Sequence, residues 1–190
     1  RRPVISSAPT LVNQPSAIAL GGTGFRGDSE GSSGSLDSSA TNYPLLQLQR
    51  IDNDQTLFVR SAAPWTDTSF TSIPLSGLPT GHYRVTIVTN GIPSLQRIVL
   101  ITGPLPTITN INPNSGPIGG GQSVTITGAN LTGANVTIGG TLVASATTAT
   151  TATFLTPAHT AGAVNVTVAT PDGSATPVSG YTSFVPAPAH

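Results

Sequence analysis

The chain of 190 residues contains no cysteine, no methionine and no lysine. Without cysteine there are no disulfides, no thiolate metal sites and no thiol nucleophile. Without methionine, Arg1 is not an intact translation start, and the expectation is a processed mature form or a piece of a larger protein. Charge is sparse as well: seven arginines face seven acids, and only 7% of residues are charged, against roughly 25% in average soluble domains. No apolar run approaches the roughly 20 residues of a membrane-spanning helix, and no signal peptide is visible, so membrane insertion is not expected.

What fills the gap is Thr, Ser, Gly, Ala, Pro and Val. That mixture suits strands and turns and not a helical enzyme, while a hydrophobic fraction of 37% is enough to build a core. A lysine-free, low-charge, Thr/Ser/Gly-rich chain reads as extracellular or cell-surface material.

The charges are unevenly spread. Every arginine lies at or before Arg97, and Asp172 is the only charged side chain after it. Pro104 and Pro106 in "ITGPLPTIT" fix φ and stiffen the chain between the two halves. Two domains are expected, 1–103 and 104–186, with a tail at 187–190. In the first, "YPLLQLQRI" and "QTLFVRS" flank a turn at Asp52, Asn53 and Asp54, and "HYRVTIVTNG" alternates through Tyr83, Val85 and Ile87. In the second, Val124 and Ile126 point one way and Thr125 and Thr127 the other. Strand-like runs recur at about the 8–12-residue spacing of sandwiches, and nothing supports a helix of three turns. The fold class expected is all-β, two immunoglobulin-like β-sandwiches in tandem.

Residues 106–185 resemble the IPT/TIG domain, an immunoglobulin-like module. The pattern is carried by Ile111, Pro113, Ser115, Gly116 and Pro117, then Gly120 and Gly121, then Gly128, Asn130 and Leu131. Residues 2–102 are similar to the C-terminal β-sandwich that follows the kelch propeller in galactose and glyoxal oxidases, through "YPLLQLQR", Leu78-Pro79-x-Gly81-x-Tyr83 and Asn90-Gly91-x-Pro93-Ser94. In those copper oxidases the resemblance implies one copper-ligating His just after the strand matching "PLLQLQR". Here "IDNDQTL" stands in its place, so the resemblance implies fold and ancestry without oxidase chemistry.

Candidate sites are few. His82, His159 and His190 have no nucleophile motif beside them, so no catalysis and no cofactor are expected. Asp52 and Asp54, with Asp28 and Glu30, are weak metal candidates; Asp-x-Asp is a fragment of a calcium cage but also ordinary turn chemistry. "GGTG" and "IGGGQS" are not followed by helices and read as turns, not phosphate cradles. The second half has no cation after Arg97 to neutralise phosphate, so nucleic acid is not an expected partner.

Trp65 is the one aromatic in a turn-like setting and the candidate glycan contact, while Tyr43, Tyr83 and Tyr181 read as core. Arg26-Gly27-Asp28 forms an adhesion-type triplet within a polar loop over residues 21–42. Sequons occur at Asn130, Asn135 and Asn165. The expected function is a non-enzymatic structural or interaction protein of the bacterial surface or extracellular space, self-associating as a filament, sheath or surface layer or acting as an adhesive spacer, with homo-oligomers or neighbouring domains of a larger surface protein as its partners. The alternatives are an inert accessory region of a larger secreted kelch-propeller protein and a carbohydrate-binding module.

Overall fold

A computed structural model describes residues 1–27, 43–62, 64–176 and 180–187. Asp28, Glu30 and His190 lie outside the described residues. The described chain is all-β, without helices, and divides into two compact units, Arg1–Gly103 and Pro104–His190.

The first unit contains β1 (Val4–Ser7), β2 (Leu11–Asn13), β3 (Ala19–Thr23), β4 (Leu45–Arg50), β5 (Thr56–Val59), β6 (Ser69–Thr71), β7 (Gly81–Thr89), β8 (Ile92–Pro93) and β9 (Arg97–Thr102). Strands β1, β3 and β6 form one sheet, and β2, β9, β7, β4 and β5 lie in that order in the other, with β8 paired to β7. The long strand β7 shows why. Tyr83, Val85 and Ile87 are buried on one face, as period-two alternation of β-branched and aromatic residues requires. It ends at Asn90 and Gly91, both with positive φ, which is the backbone a two-residue hairpin turn demands. Leu46, Leu48, Val99 and Ile101 join this face, and Ile5, Leu20 and Phe70 meet it from the smaller sheet. Each fully buried aliphatic or aromatic side chain contributes about 1.5–3 kcal/mol.

The second unit contains β10 (Thr107–Asn112), β11 (Ser115–Pro117), β12 (Ser123–Ala129), β13 (Asn135–Ile138), β14 (Thr141–Val143), β15 (Ser145–Thr147), β16 (Thr151–Leu155), β17 (Gly162–Val164), β18 (Val166–Thr170), β19 (Gly173–Ala175) and β20 (Tyr181–Phe184). Two four-stranded sheets, β10-β12-β16-β15 and β14-β13-β18-β19, share a core with a third of order β11-β20-β17. Val124 and Ile126 are wholly buried and face Val136, Val166 and Val168. Across the outer side of β12 and β16 the hydroxyls of Thr125 and Thr153 meet at 3.3 Å. Strand β20 pairs β11 in parallel and β17 antiparallel.

The "IGGGQS" loop is built as a turn. Gly120 has φ +73, and a Cβ there would stand 2.6 Å from the Thr156 carbonyl oxygen. The Gly120, Gly121 and Gln122 amides donate to Pro117 O, Thr156 O and Thr156 Oγ1. Three successive donors that an anion would need are already used within the fold.

Candidate binding surface

The segment from Trp65 to Ser69 is a tight turn leading into β6. Its conformation is set by short polar side chains: Thr66 Oγ1 lies 2.7 Å from Ser69 Oγ and accepts the Thr68 amide at 3.2 Å, while the Thr66 amide donates to Ser69 O. Such local bonds are why Ser and Thr favour turns. The turn is tied to the end of β3, because the Phe25 amide donates to Asp67 O and the Arg26 amide to Asp67 Oδ1. Arg1 reaches Asp67 Oδ2 at 3.7 Å.

This brings three residues distant in sequence together. The Arg26 guanidinium lies over the Trp65 ring, 5.5 Å from its centroid. Tyr43 meets the same ring edge to face, with centroids 5.8 Å apart and planes at 82°. The Ser61 amide donates to Tyr43 Oη at 3.0 Å. All three side chains are half-buried, so Tyr43 belongs to a surface cluster and not, as its neighbouring strand suggested, to the core. Tyr83 and Tyr181 are core residues. Cation–π and edge-to-face contacts of this kind stiffen the indole and leave it partly exposed. Of the adhesion-type triplet, Arg26 is in this cluster, Gly27 follows it, and Asp28 is outside the described residues.

Asp52 and Asp54 occupy the β4–β5 turn, and each carboxylate has an arginine. Arg50 donates from Nε to Asp52 Oδ1 at 2.8 Å and from Nη2 to Asp52 Oδ2, a bidentate clamp. Arg84 Nη1 lies 3.1 Å from Asp54 Oδ1, which also accepts from Gln49 Nε2. The hydrogen bond from Arg50 holds the Asp52 carboxyl below its ordinary range and raises Arg50 in turn. The Arg50 guanidinium also lies over the Tyr83 ring, whose hydroxyl donates to Pro79 O; burial pushes Tyr83 up. Among the described residues no cluster of three or more His or acidic side chains is placed to hold a metal. His82 is exposed on β7, and His159 Nδ1 lies 2.9 Å from Thr160 O. Asn130, Asn135 and Asn165 are exposed. Asn130 adopts positive φ and donates to Leu105 O.

Sequence reasoning did not single out Phe58 and Leu142, exposed apolar side chains on edge strands. Phe58 on β5 is 56% exposed and borders a groove of about 370 Å³ lined by Leu45, Leu57, Ile73, Pro74 and Leu75. Leu142 on β14 is 65% exposed. Alternation does predict that Phe58 faces away from Leu57 and Val59; that it stays 56% exposed is a tertiary fact.

Comparison with known proteins sorts the two units differently. No curated protein matches the chain. Among solved structures, the plexin A4 extracellular region is 14% identical over 97% of this chain and 16% of its own, with a TM-score of 0.43. The surface glycan-binding protein PbSGBP-B from Prevotella bryantii is 15% identical over 93% of this chain and 41% of its own, with a TM-score of 0.45. The SGBP-B of a Bacteroides ovatus mixed-linkage glucan utilisation locus is 18% identical over 93% and 44%, with a TM-score of 0.33. The chain thus spans less than half the length of each of these proteins, and at such scores the likenesses carry no statement of function. The family model of the IPT/TIG domain matches residues 106–185. The second unit is therefore an IPT/TIG domain.

Proposed function

We propose that the chain is a non-enzymatic structural and interaction protein of the cell surface or extracellular space, which associates with further copies of itself through its sheet edges. The observation that carries this is the pair of edge strands β5 and β14, each ending its sheet and each presenting a large exposed apolar side chain, Phe58 and Leu142. Soluble β-proteins blunt such edges with lysine, inward charge or proline. This chain has no lysine at all, and neither strand carries a charge. An unguarded apolar edge is a template for strand addition from another chain. The first unit's resemblance to the sandwich following kelch propellers fits this reading as ancestry of a scaffold, with "IDNDQTL" and no His directly after β4.

Sedimentation velocity over a wide concentration range, with electron microscopy of the same samples, tests it. Concentration-dependent growth beyond the 19.1 kDa monomer, weakened by Phe58→Lys or Leu142→Lys, is the expected result. A wild-type chain that stays monomeric at millimolar concentration overturns the proposal.

The Arg26–Trp65–Tyr43 cluster favours a second reading, a glycan contact. A rigid, partly exposed indole flanked by a guanidinium and a phenol is a surface on which a sugar ring can stack. Glycan-array binding lost on Trp65→Ala supports it, and an array without hits sinks it.

A further inference from the structure

A separate cavity of about 270 Å³ lies between β1 and the chain entering β9. Pro3 and Ile5 are its buried floor, and Val4 and Leu95 are exposed walls. Its remaining lining is Gln96 and two arginines, Arg2 and Arg97. Both guanidiniums are held by backbone carbonyls: Arg2 Nε donates to Pro93 O at 3.0 Å, and Arg97 donates from Nε and Nη2 to Ile5 O at 3.3 and 2.8 Å. These bonds fix the side chains without neutralising them, and each guanidinium keeps further donors. The described ion pairs of this unit join Asp52 to Arg50, Asp54 to Arg84 and Asp67 to Arg1. Among the described residues no carboxylate pairs with Arg2 or Arg97. In a chain this poor in charge, two oriented cations on one apolar cavity, with no carboxylate among its described lining, are a specific arrangement.

We infer that this cavity is a recognition site for a carboxylate carried on an apolar body. The arginines supply the planar, multi-donor geometry that a carboxylate accepts, and Pro3, Val4, Ile5 and Leu95 supply the surface against which an aliphatic chain is desolvated. At about 30 Å³ per water, the volume admits a body of roughly nine or ten non-hydrogen atoms. That chemistry has two sources: a free amphiphilic carboxylate, or the terminal carboxylate of an apolar peptide. The site lies apart from the edges and the aromatic cluster on which the proposed function rests, so either can fail without the other.

Calorimetric titration of the whole chain with octanoate and with octanol tests the charge requirement. A parallel titration uses a blocked Ala-Val-Leu peptide with a free C-terminus and the same peptide amidated. The expected result is saturable binding of one or both acids, with each neutral counterpart weaker by about tenfold or more, since charge-assisted hydrogen bonds carry that difference. Octanoate binding alone assigns a free amphiphile, and peptide-acid binding alone assigns a chain terminus. Arg2→Gln and Arg97→Gln each weaken the acid about tenfold. Because Arg97 also braces β1, Leu95→Asp is the second variant: Leu95 is 71% exposed, so the fold tolerates it while the new carboxylate repels the ligand. Failure of both acids to bind, equal binding of the neutral counterparts, or acid affinity unchanged in Leu95→Asp overturns the inference.

Discussion

The guanidinium of Arg26 covers one face of the Trp65 ring at 5.5 Å, so the indole has at most its other face to offer a ligand. The same contact makes Trp65 structural as well as available. Trp65→Ala is expected to destabilise the first unit by about 2 kcal/mol, less than the 3–5 kcal/mol of a fully buried tryptophan. Arg26→Gln should remove the cation while leaving the turn bonds of Thr66 in place, and is expected to change Trp65 fluorescence with little change in melting temperature. Equal losses of stability in the two variants would show that the guanidinium contributes as much as the indole it covers, since glutamine keeps the backbone tie to Asp67.

The clamp between Arg50 and Asp52 sets a pH dependence with a definite sign. Because hydrogen bonding to Arg50 lowers the folded-state pKa of Asp52, its contribution is present above the ordinary carboxylate pKa of about 3.9. It is lost as pH falls through the lower folded value. Carboxyl-carbon NMR should show Asp52 titrating below the ordinary Asp range. Arg50→Gln should return it to that range, and a wild-type Asp52 already titrating there contradicts the clamp.

At the opposite end of the scale, Tyr83 is raised by burial, and its hydroxyl donates to Pro79 O at 2.8 Å. The protonated phenol is the form the fold favours. Its contribution is intact below the unfolded pKa of about 10 and disappears as pH rises through the higher folded value. Tyr83→Phe should cost about 1 kcal/mol in urea unfolding at neutral pH and should flatten the alkaline loss of stability.

In the second unit, Tyr181 Oη donates to Gln122 Oε1 at 3.1 Å, directly over Gly116, where a Cβ would collide with both atoms. Tyr181→Phe is expected to cost about 1 kcal/mol. Gly116→Ala is expected to cost more, because the added methyl displaces both partners and pushes β11 off β20. Denaturant melts of the two variants decide the order, and a smaller loss for Gly116→Ala contradicts the close packing described.

How far the sequence could be read depends on how local each signal is. The alternation of Val124 and Ile126 with Thr125 and Thr127 reports burial directly, as does that of Tyr83, Val85 and Ile87, because a strand's side chains change face at every residue. The all-β class followed from such local signals, and the IPT/TIG domain from a resemblance carried by the prolines and glycines of residues 106–185. The cluster did not. Trp65 stood out by its turn setting, but Tyr43 precedes a buried strand and reads as core. Arg26 reads as part of a triplet, because nothing within a few residues of it names Trp65. The parallel pairings of β2 with β9 and β11 with β20 were equally invisible, since they join segments with no shared turn. The uncovered side chains of Phe58 and Leu142 depend on which strands end their sheets.

The pairing of β20 with both β11 and β17 has a consequence for biosynthesis. Residues 115–117 and 162–164 acquire their partner only when residues 181–184 arrive. On a ribosome, most of the second unit therefore emerges before its third sheet can exist. Until Phe184 clears the exit tunnel, β11 and β17 lack the strand that joins them, and this exposes the unit to a neighbouring nascent chain of the same kind.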